Sequence, residues 1–267
     1  MVVQTTLLKK ASLVGAFFVS ACLALPAQAF CPLRADLPQQ RVAKVVDGDT
    51  LRLADGRSVR LIGVNAPERA RDGRPAEPFA EAAQRRLQAL VAANDGRVGL
   101  RLGAKPRDHY GRTLAHAYDR AGHNLEAQLL AEGLGYRVAF EPANGLEDCQ
   151  RSAEQAARQQ RLGLWQGRQV LSAFDLRGGG FALVRGRVDQ VQRNRGGLWI
   201  ELDGPLVLRV EPKLLRHFDV EALQALIGRQ VEARGWVIDR SRRGGVQPGQ
   251  ARWMLPLSHA AMLEVLP

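Results

Sequence analysis

Between Arg41 and Val64 the chain passes through three short stretches in which apolar and polar residues alternate: Arg41–Val46, Thr50–Leu53 and Ser58–Val64. An alternation of period two turns one face of each stretch to a core and the other to solvent, so this region is β-structure and not helix. The connections constrain it as much as the strands do. Asp55-Gly56 reads as a hairpin turn between the second and third stretches, and Gly48 makes a turn that delivers Asp49 to the start of the second.

Beyond a charged loop over 69–76, the span from Glu77 to about Ala93 places Phe79, Ala82, Ala83, Leu87, Leu90 and Val91 at helical spacing and ends at Asn94-Asp95-Gly96. Two strands, Val98–Leu102 and Thr113–Tyr118, are expected on either side of a turn at Asp108–Arg112. A short helix over Asn124–Glu132 closes at Gly133. Another near Leu146–Arg161 carries Cys149, Ala153, Ala156 and Ala157 on one face and leads into Leu162-Gly163-Leu164-Trp165. Five strands with three interleaved helices describe an α+β, mostly β unit, an OB-type five-stranded barrel over 41–167. Residues 30–40 read as a proline-rich N-terminal arm, and 168–181, with Arg177-Gly178-Gly179-Gly180, as a linker. Over 182–267 a second pattern runs Ala182–Val191, Leu198–Leu202, Leu206–Val210, a helical piece Val220–Ile227, Gln230–Ile238 and a last strand at Arg252–Leu257 or Met262–Leu266. That order predicts a second small OB-like β-barrel.

Residues 1–29 read as a secretory signal peptide, with Lys9-Lys10, an apolar stretch closed by Pro26, and Ala27-Gln28-Ala29 as the cleavage site. The stretch is too short for a membrane span. Val19-Ser20-Ala21-Cys22 offers a second reading, a lipoprotein anchored through Cys22. The expected location is periplasmic or secreted. Once the leader is removed, Cys31 and Cys149 remain as an even pair in an oxidising compartment, which suggests a disulfide from the arm to the helix near 149; two separate thiols are the alternative. The formal charge of +11 suits a polyanionic ligand, although arginine-rich codon usage explains it equally well.

The residues that a barrel core does not need are charged ones at strand ends. Val46-Asp47-Gly48-Asp49-Thr50, Arg60-Leu61-Ile62-Gly63-Val64-Asn65-Ala66-Pro67-Glu68 and Asp108-His109-Tyr110-Gly111-Arg112, in that order and at that spacing, resemble the thermonuclease (staphylococcal nuclease-like) family. The resemblance covers about 41–166 and implies calcium-dependent cleavage of DNA and RNA phosphodiesters. It implies that Asp49 binds one Ca²⁺ directly, with Asn65 and the Ala66 carbonyl beside it. Asn65 stands where most of the family has aspartate, so this site carries one negative charge fewer. It further implies that Glu68 orients or deprotonates the attacking water, and that Arg60 and Arg112 hold the phosphoryl group through bidentate guanidinium donors. Tyr110 is read either as a substrate contact or as an aromatic capping the barrel, and Asp47 as a turn residue.

The expected function is an exported metal-dependent nuclease acting on DNA and/or RNA, with no stable protein partner inferred and no transmembrane span in the mature chain. The alternative is a nucleic-acid-binding protein of the same fold whose catalysis has weakened at Asn65. His109, His116 and His123 lack zinc spacing and read as surface or turn residues. In the C-terminal unit, Trp199, Trp236, Arg187, Arg193, Arg195 and Arg209 would suit a single strand of nucleic acid, or else are core tryptophans and a solvated basic face.

Overall fold

The computed structural model describes residues 30–267 apart from 34, 72, 143, 144, 243–245 and 248; the leader and Cys22 lie outside the described residues. The first half runs β1 (Gln39–Asp47), β2 (Thr50–Leu53), β3 (Ser58–Leu61), β4 (Val64–Asn65), α1 (Ala80–Ala93), β5 (Arg97–Arg107), β6 (Thr113–Tyr118), α2 (Leu125–Ala131), β7 (Tyr136–Arg137) and α3 (Glu147–Gln159). Five of the strands close a barrel in the order β1-β2-β3-β6-β5. Its neighbours are antiparallel except β3 and β6, which run parallel with Val59 opposite Thr113 and Arg60 opposite Leu114. Alternate residues Leu51, Leu53, Val59, Leu61, Val98, Ala115 and Ala117 fill the interior, and Leu87 and Val91 of α1 pack against it.

Two boundaries and one helix face depart from the periodicity. The third strand stops at Leu61, since Gly63 takes a left-handed φ of 94° that ends the ladder, and β4 pairs with β7 instead. Helix α1 starts at Ala80, since Phe79 itself sits at φ 67°. In α3 the buried residues are Gln150, Glu154 and Ala157, so the centre of its inward face is polar, with the small residues beside it. Cys31 and Cys149 are joined in a disulfide that ties the arm to α3.

The second half runs β8 (Val170–Ser172), β9 (Gly180–Asn194), β10 (Gly197–Leu202), β11 (Leu206–Val210), α4 (Val220–Gln224), β12 (Gln230–Asp239), β13 (Trp253–Pro256) and β14 (Leu263–Val265). Strand β9 pairs with β10, β10 with β11, β11 in parallel with β13, β13 with β12, and β12 back with β9. The ring has the strand order of the first barrel, with the third and fifth strands parallel in both. Where the glycine run suggested a linker, β8 pairs in parallel with β9 and Ala173 and Leu176 enter the core. Apolar residues on both sides of Arg177–Gly180 gave those flanks a place to bury.

The barrels meet across a buried ionic seam. Arg234 of β12 pairs with Glu154 of α3 at 2.7 Å and with Glu232 at 3.2 Å, and Arg137 of β7 pairs with Glu264 of β14 at 2.7 Å. Glu154 also accepts the Arg137 backbone N–H at 2.8 Å. Tyr136, Trp165, Val170 and Phe181 pack around Ala157 and Leu183 nearby. Trp236 stacks on Phe140 and meets Phe181 edge-on. It belongs to this seam, away from Trp199. Because β7 pairs with β4, the seam fixes the ribbon that carries Asn65.

Candidate active site

The turn after β1 is built around a residue without a side chain. A Cβ on Gly48 would stand 2.6 Å from the Cβ atoms of both Ala66 and Ala83, so only glycine lets the loop after β4 and helix α1 close over the turn. Asp47 Oδ1 accepts the Asp49 N–H at 3.1 Å, the turn role expected of it. Asp49 is thereby carried inward to 6% exposure. Its Oδ2 accepts the Ala66 N–H at 2.9 Å and pairs with the Arg60 guanidinium at 2.8 Å; its Oδ1 accepts the Thr50 hydroxyl at 3.0 Å.

Arg60 points outward from β3 because Val59 and Leu61, on either side, fill the barrel. Its Nη1 donates to the carbonyls of Leu61 and Val64, and its Nη2 to Asn65 Oδ1 at 3.3 Å as well as to Asp49. One guanidinium thus holds the ribbon, the amide and the acid together. It does not balance the acid fully. Burial pushes the Asp49 carboxyl up to about 7, against the Arg60 charge and with the help of the neighbouring Asp47 carboxylate.

Arg112 sits at the foot of β6. Since Leu114 is the register partner of Arg60, Arg112 lies two residues along the neighbouring strand on the same outward side, about 7 Å further down. Asp108 orders it, accepting the backbone N–H groups of Tyr110 and Arg112 and the Arg112 Nε–H at 2.7 Å. Partial desolvation opposes the Asp108 charge, but these Arg112 and backbone donors hold its carboxyl below the usual range. The Arg112 terminal nitrogens carry no hydrogen bond among the described residues. Tyr110 is 74% exposed and lies against His109 and the Arg112 guanidinium. It does not cap the barrel, because the turn lifts it clear of the last core layer. Glu68 is exposed two residues beyond the buried Ala66. Glu77 clamps its backbone, donating to the Glu68 carbonyl and accepting its N–H, both at 2.9 Å.

A hard divalent cation fits this donor chemistry. The Asp47 and Asp49 carboxylates and the Asn65 amide oxygen are oxygen donors of the kind such ions take. The raised Asp49 pKa also marks buried negative charge that a further positive charge would relieve. Among the described residues no cluster of three His, Cys, Asp or Glu side chains converges on one point, so the site is lean in charge. Ala66 engages Asp49 through its N–H.

One histidine departs from the surface reading. His116 is fully buried, with Nδ1 3.2 Å from the buried Glu126, which also accepts the Ala117 N–H; it packs toward α2 because both faces of β6 are covered. Asp108, quoted within the third motif, and Glu77, at the start of the helical span, had no role assigned from sequence, nor had the seam residues Arg137, Glu154 and Arg234. Only Asp108 left a usable signal, its i,i+4 spacing to Arg112.

The staphylococcal nuclease homologue family model matches residues 58–167. The chain is 31% identical over 128 residues to a thermonuclease of Staphylococcus intermedius, covering 47% of this chain and 74% of that protein. It is 35% identical to endonuclease YncB of Bacillus subtilis, covering 46% of this chain and 59% of that protein. A probable endonuclease of Nakaseomyces delphensis is 34% identical, over 44% of this chain and 46% of its own length.

Proposed function

The chain belongs to the staphylococcal nuclease homologue family, and on that premise we propose that it is a metal-dependent endonuclease hydrolysing phosphodiester bonds of DNA and RNA. The observation that carries this is the Asp49–Arg60–Asn65 knot on the outward side of β3, with Arg112 at the foot of the adjoining strand and its terminal nitrogens without a hydrogen bond among the described residues. Arg60 ties the acid and the amide to the ribbon, and the buried acid, the amide and the two guanidinium groups gathered on one side match the needs of a phosphodiester.

Asp49, Asn65 and the loop carbonyl of Ala66 would hold one Ca²⁺, with Asp47 adding charge beside them. When bound, the ion supplies Lewis-acid stabilisation of phosphoryl charge and a more acidic water. Arg112 offers its terminal N–H pair to one phosphoryl oxygen as charge builds on it, and Asp108 keeps that fork aimed. Arg60 holds the ribbon in register and gives a second positive charge to the same face. Glu68, exposed just beyond the Ala66 loop, takes one proton of the attacking water as its oxygen bonds to phosphorus, the P–O bond to the leaving sugar breaks and the departing oxygen takes a proton from solvent. Tyr110, exposed beside the Arg112 guanidinium, is open to meet the adjoining sugar or base.

An exported setting is part of the same reading, supported by the Cys31–Cys149 disulfide and by the leader pattern. The test is incubation of the purified chain with DNA and with RNA, in Ca²⁺ and in chelator. Cleavage in Ca²⁺ that stops in chelator is expected. Nucleic-acid binding without cleavage in either condition would favour the weakened binder and refute the enzyme.

A further inference from the structure

The second barrel presents an aromatic and cationic cavity that the chemistry above leaves unused. On the outer face of β9–β11, Gln192, Trp199 and Arg209 stand side by side in register across three strands. Trp199 forms the floor, with Asn194 from the end of β9 and Arg240 and Gln250 from the β12–β13 connection as walls, around a cavity of about 150 Å³. That is the volume of a single benzene-sized ring.

The parts of this cavity are already fixed in place. Trp199 Nε1–H donates to Asn194 Oδ1 at 2.9 Å, which locks the plane of the indole. Arg209 is bound through Nε and Nη2 to the Gly196 carbonyl at 3.0 and 2.9 Å, and its guanidinium lies 5.0 Å from the indole. Arg240 donates to the Ala251 carbonyl and to Gln250 Oε1, and lies 5.8 Å from the same ring. Exposed Arg195 directly follows the lining residue Asn194, and exposed Arg242 stands two residues beyond Arg240, 3.8 Å from Asp239. Arg193, in register with Leu198, lies on the other side of its strand, and Arg187 pairs with Asp189. Glu201 is the acid in the lining; a carboxylate there suits an exocyclic amine of a base and repels only a phosphate seated directly on it.

We propose that this face binds single-stranded nucleic acid, with one base stacked on Trp199 and the flanking phosphates met by Arg195, Arg240 and Arg242. Strands two and three of an OB barrel, flanked by the loops between strands one and two and between strands four and five, are a surface that oligomeric ligands use. The arginines at the rim favour a polyanion over a neutral oligosaccharide. Rigid anchoring of Trp199 and both guanidinium groups means that little order remains to be imposed on binding.

The inference does not depend on hydrolysis by the first barrel, so its test is run on the full chain in chelator. Anisotropy of a fluorescein-labelled oligothymidylate of about ten nucleotides is measured for the native chain, Trp199→Ala and Trp199→Phe. Trp199→Ala is expected to weaken binding about tenfold or more, with Trp199→Phe recovering most of it and the melting temperature unchanged. In Ca²⁺, hydrolysis of a small chromogenic phosphodiester should be the same for all three proteins. Should Trp199→Ala fold poorly, an Arg195→Ala/Arg242→Ala variant is expected to lower the salt dependence by about two phosphate contacts. Unchanged binding by Trp199→Ala, an unchanged salt slope, or displacement of the oligonucleotide by a neutral oligosaccharide would overturn the assignment. Loss of binding with no diester hydrolysis in any protein would uphold it while refuting the nuclease reading.

Discussion

The two barrels share one strand order and put different chemistry on equivalent ground. In the first, the turn between strands one and two delivers Asp49 inward, to be met by Arg60 from strand three. In the second, the end of strand one, just before the corresponding turn, supplies Asn194, which fixes Trp199 on strand two beside Arg209 on strand three. A buried acid with a guanidinium partner can hold an ion against a reacting phosphate; an indole between guanidinium groups can hold a base. On the proposed reading, the same ladder of hydrogen bonds would support a site for chemistry in one barrel and a site for grip in the other, and the difference lies in a handful of side chains near the turn between strands one and two of each barrel.

The comparison breaks first at the seam. Glu154→Ala leaves the Arg137 N–H unpaired and Arg234 with Glu232 as its remaining close partner, and is expected to cost about 3 kcal/mol in chemical denaturation. If the barrels were independent, that loss would split unfolding into two transitions with the first barrel's stability unchanged. Arg112→Ala comes next, lowering kcat/KM for DNA by about 10²–10³ with little change in stability, because its hydrogen bonds lie within its own turn. A loss of fold in that variant would move Arg112 from chemistry to structure.

A third expectation concerns pH. The Asp49 carboxyl is raised from 3.8 to about 7 in the folded chain. The folded state therefore keeps a proton that the unfolded state has released, so stability in chelator falls as pH rises from about 4 to 7, by an amount on the order of a few kcal/mol. Asp49→Asn should flatten that slope. Replacing Cys31 and Cys149 by alanine should cost about 2–4 kcal/mol, read as a lower midpoint of unfolding. The smallest effect sharpens the comparison most: Trp199→Ala should leave hydrolysis of a small phosphodiester within about twofold, as expected of a surface change remote from the reacting group.

Much of this was legible in the chain, for identifiable reasons. Alternation in Thr50–Leu53 and Leu206–Val210 gave the strands, and Asp49, Arg60 and Arg112 stood out because charges at strand ends serve no core. The seam was hidden because Glu154 and Arg234 look like any solvated pair until α3 and β12 are brought together. Gln150 and Glu154 occupy the inward centre of α3, where the small residues alone suggested an apolar face. The flanks of the glycine run at 178–180 read as a linker, since a parallel edge strand such as β8 has no local turn to announce it. His116 was misplaced because a strand covered on both faces loses the alternation that marks the outside.

The division of labour rests on Glu68 acting on water in the first barrel while grip is supplied elsewhere. Single-turnover cleavage of DNA in Ca²⁺ by Glu68→Gln, with oligonucleotide affinity measured in chelator, tests it most directly. The expected result is a rate lower by about 10²–10⁴ with affinity unchanged. A rate equal to that of the native chain would contradict the assignment of the reaction to this site.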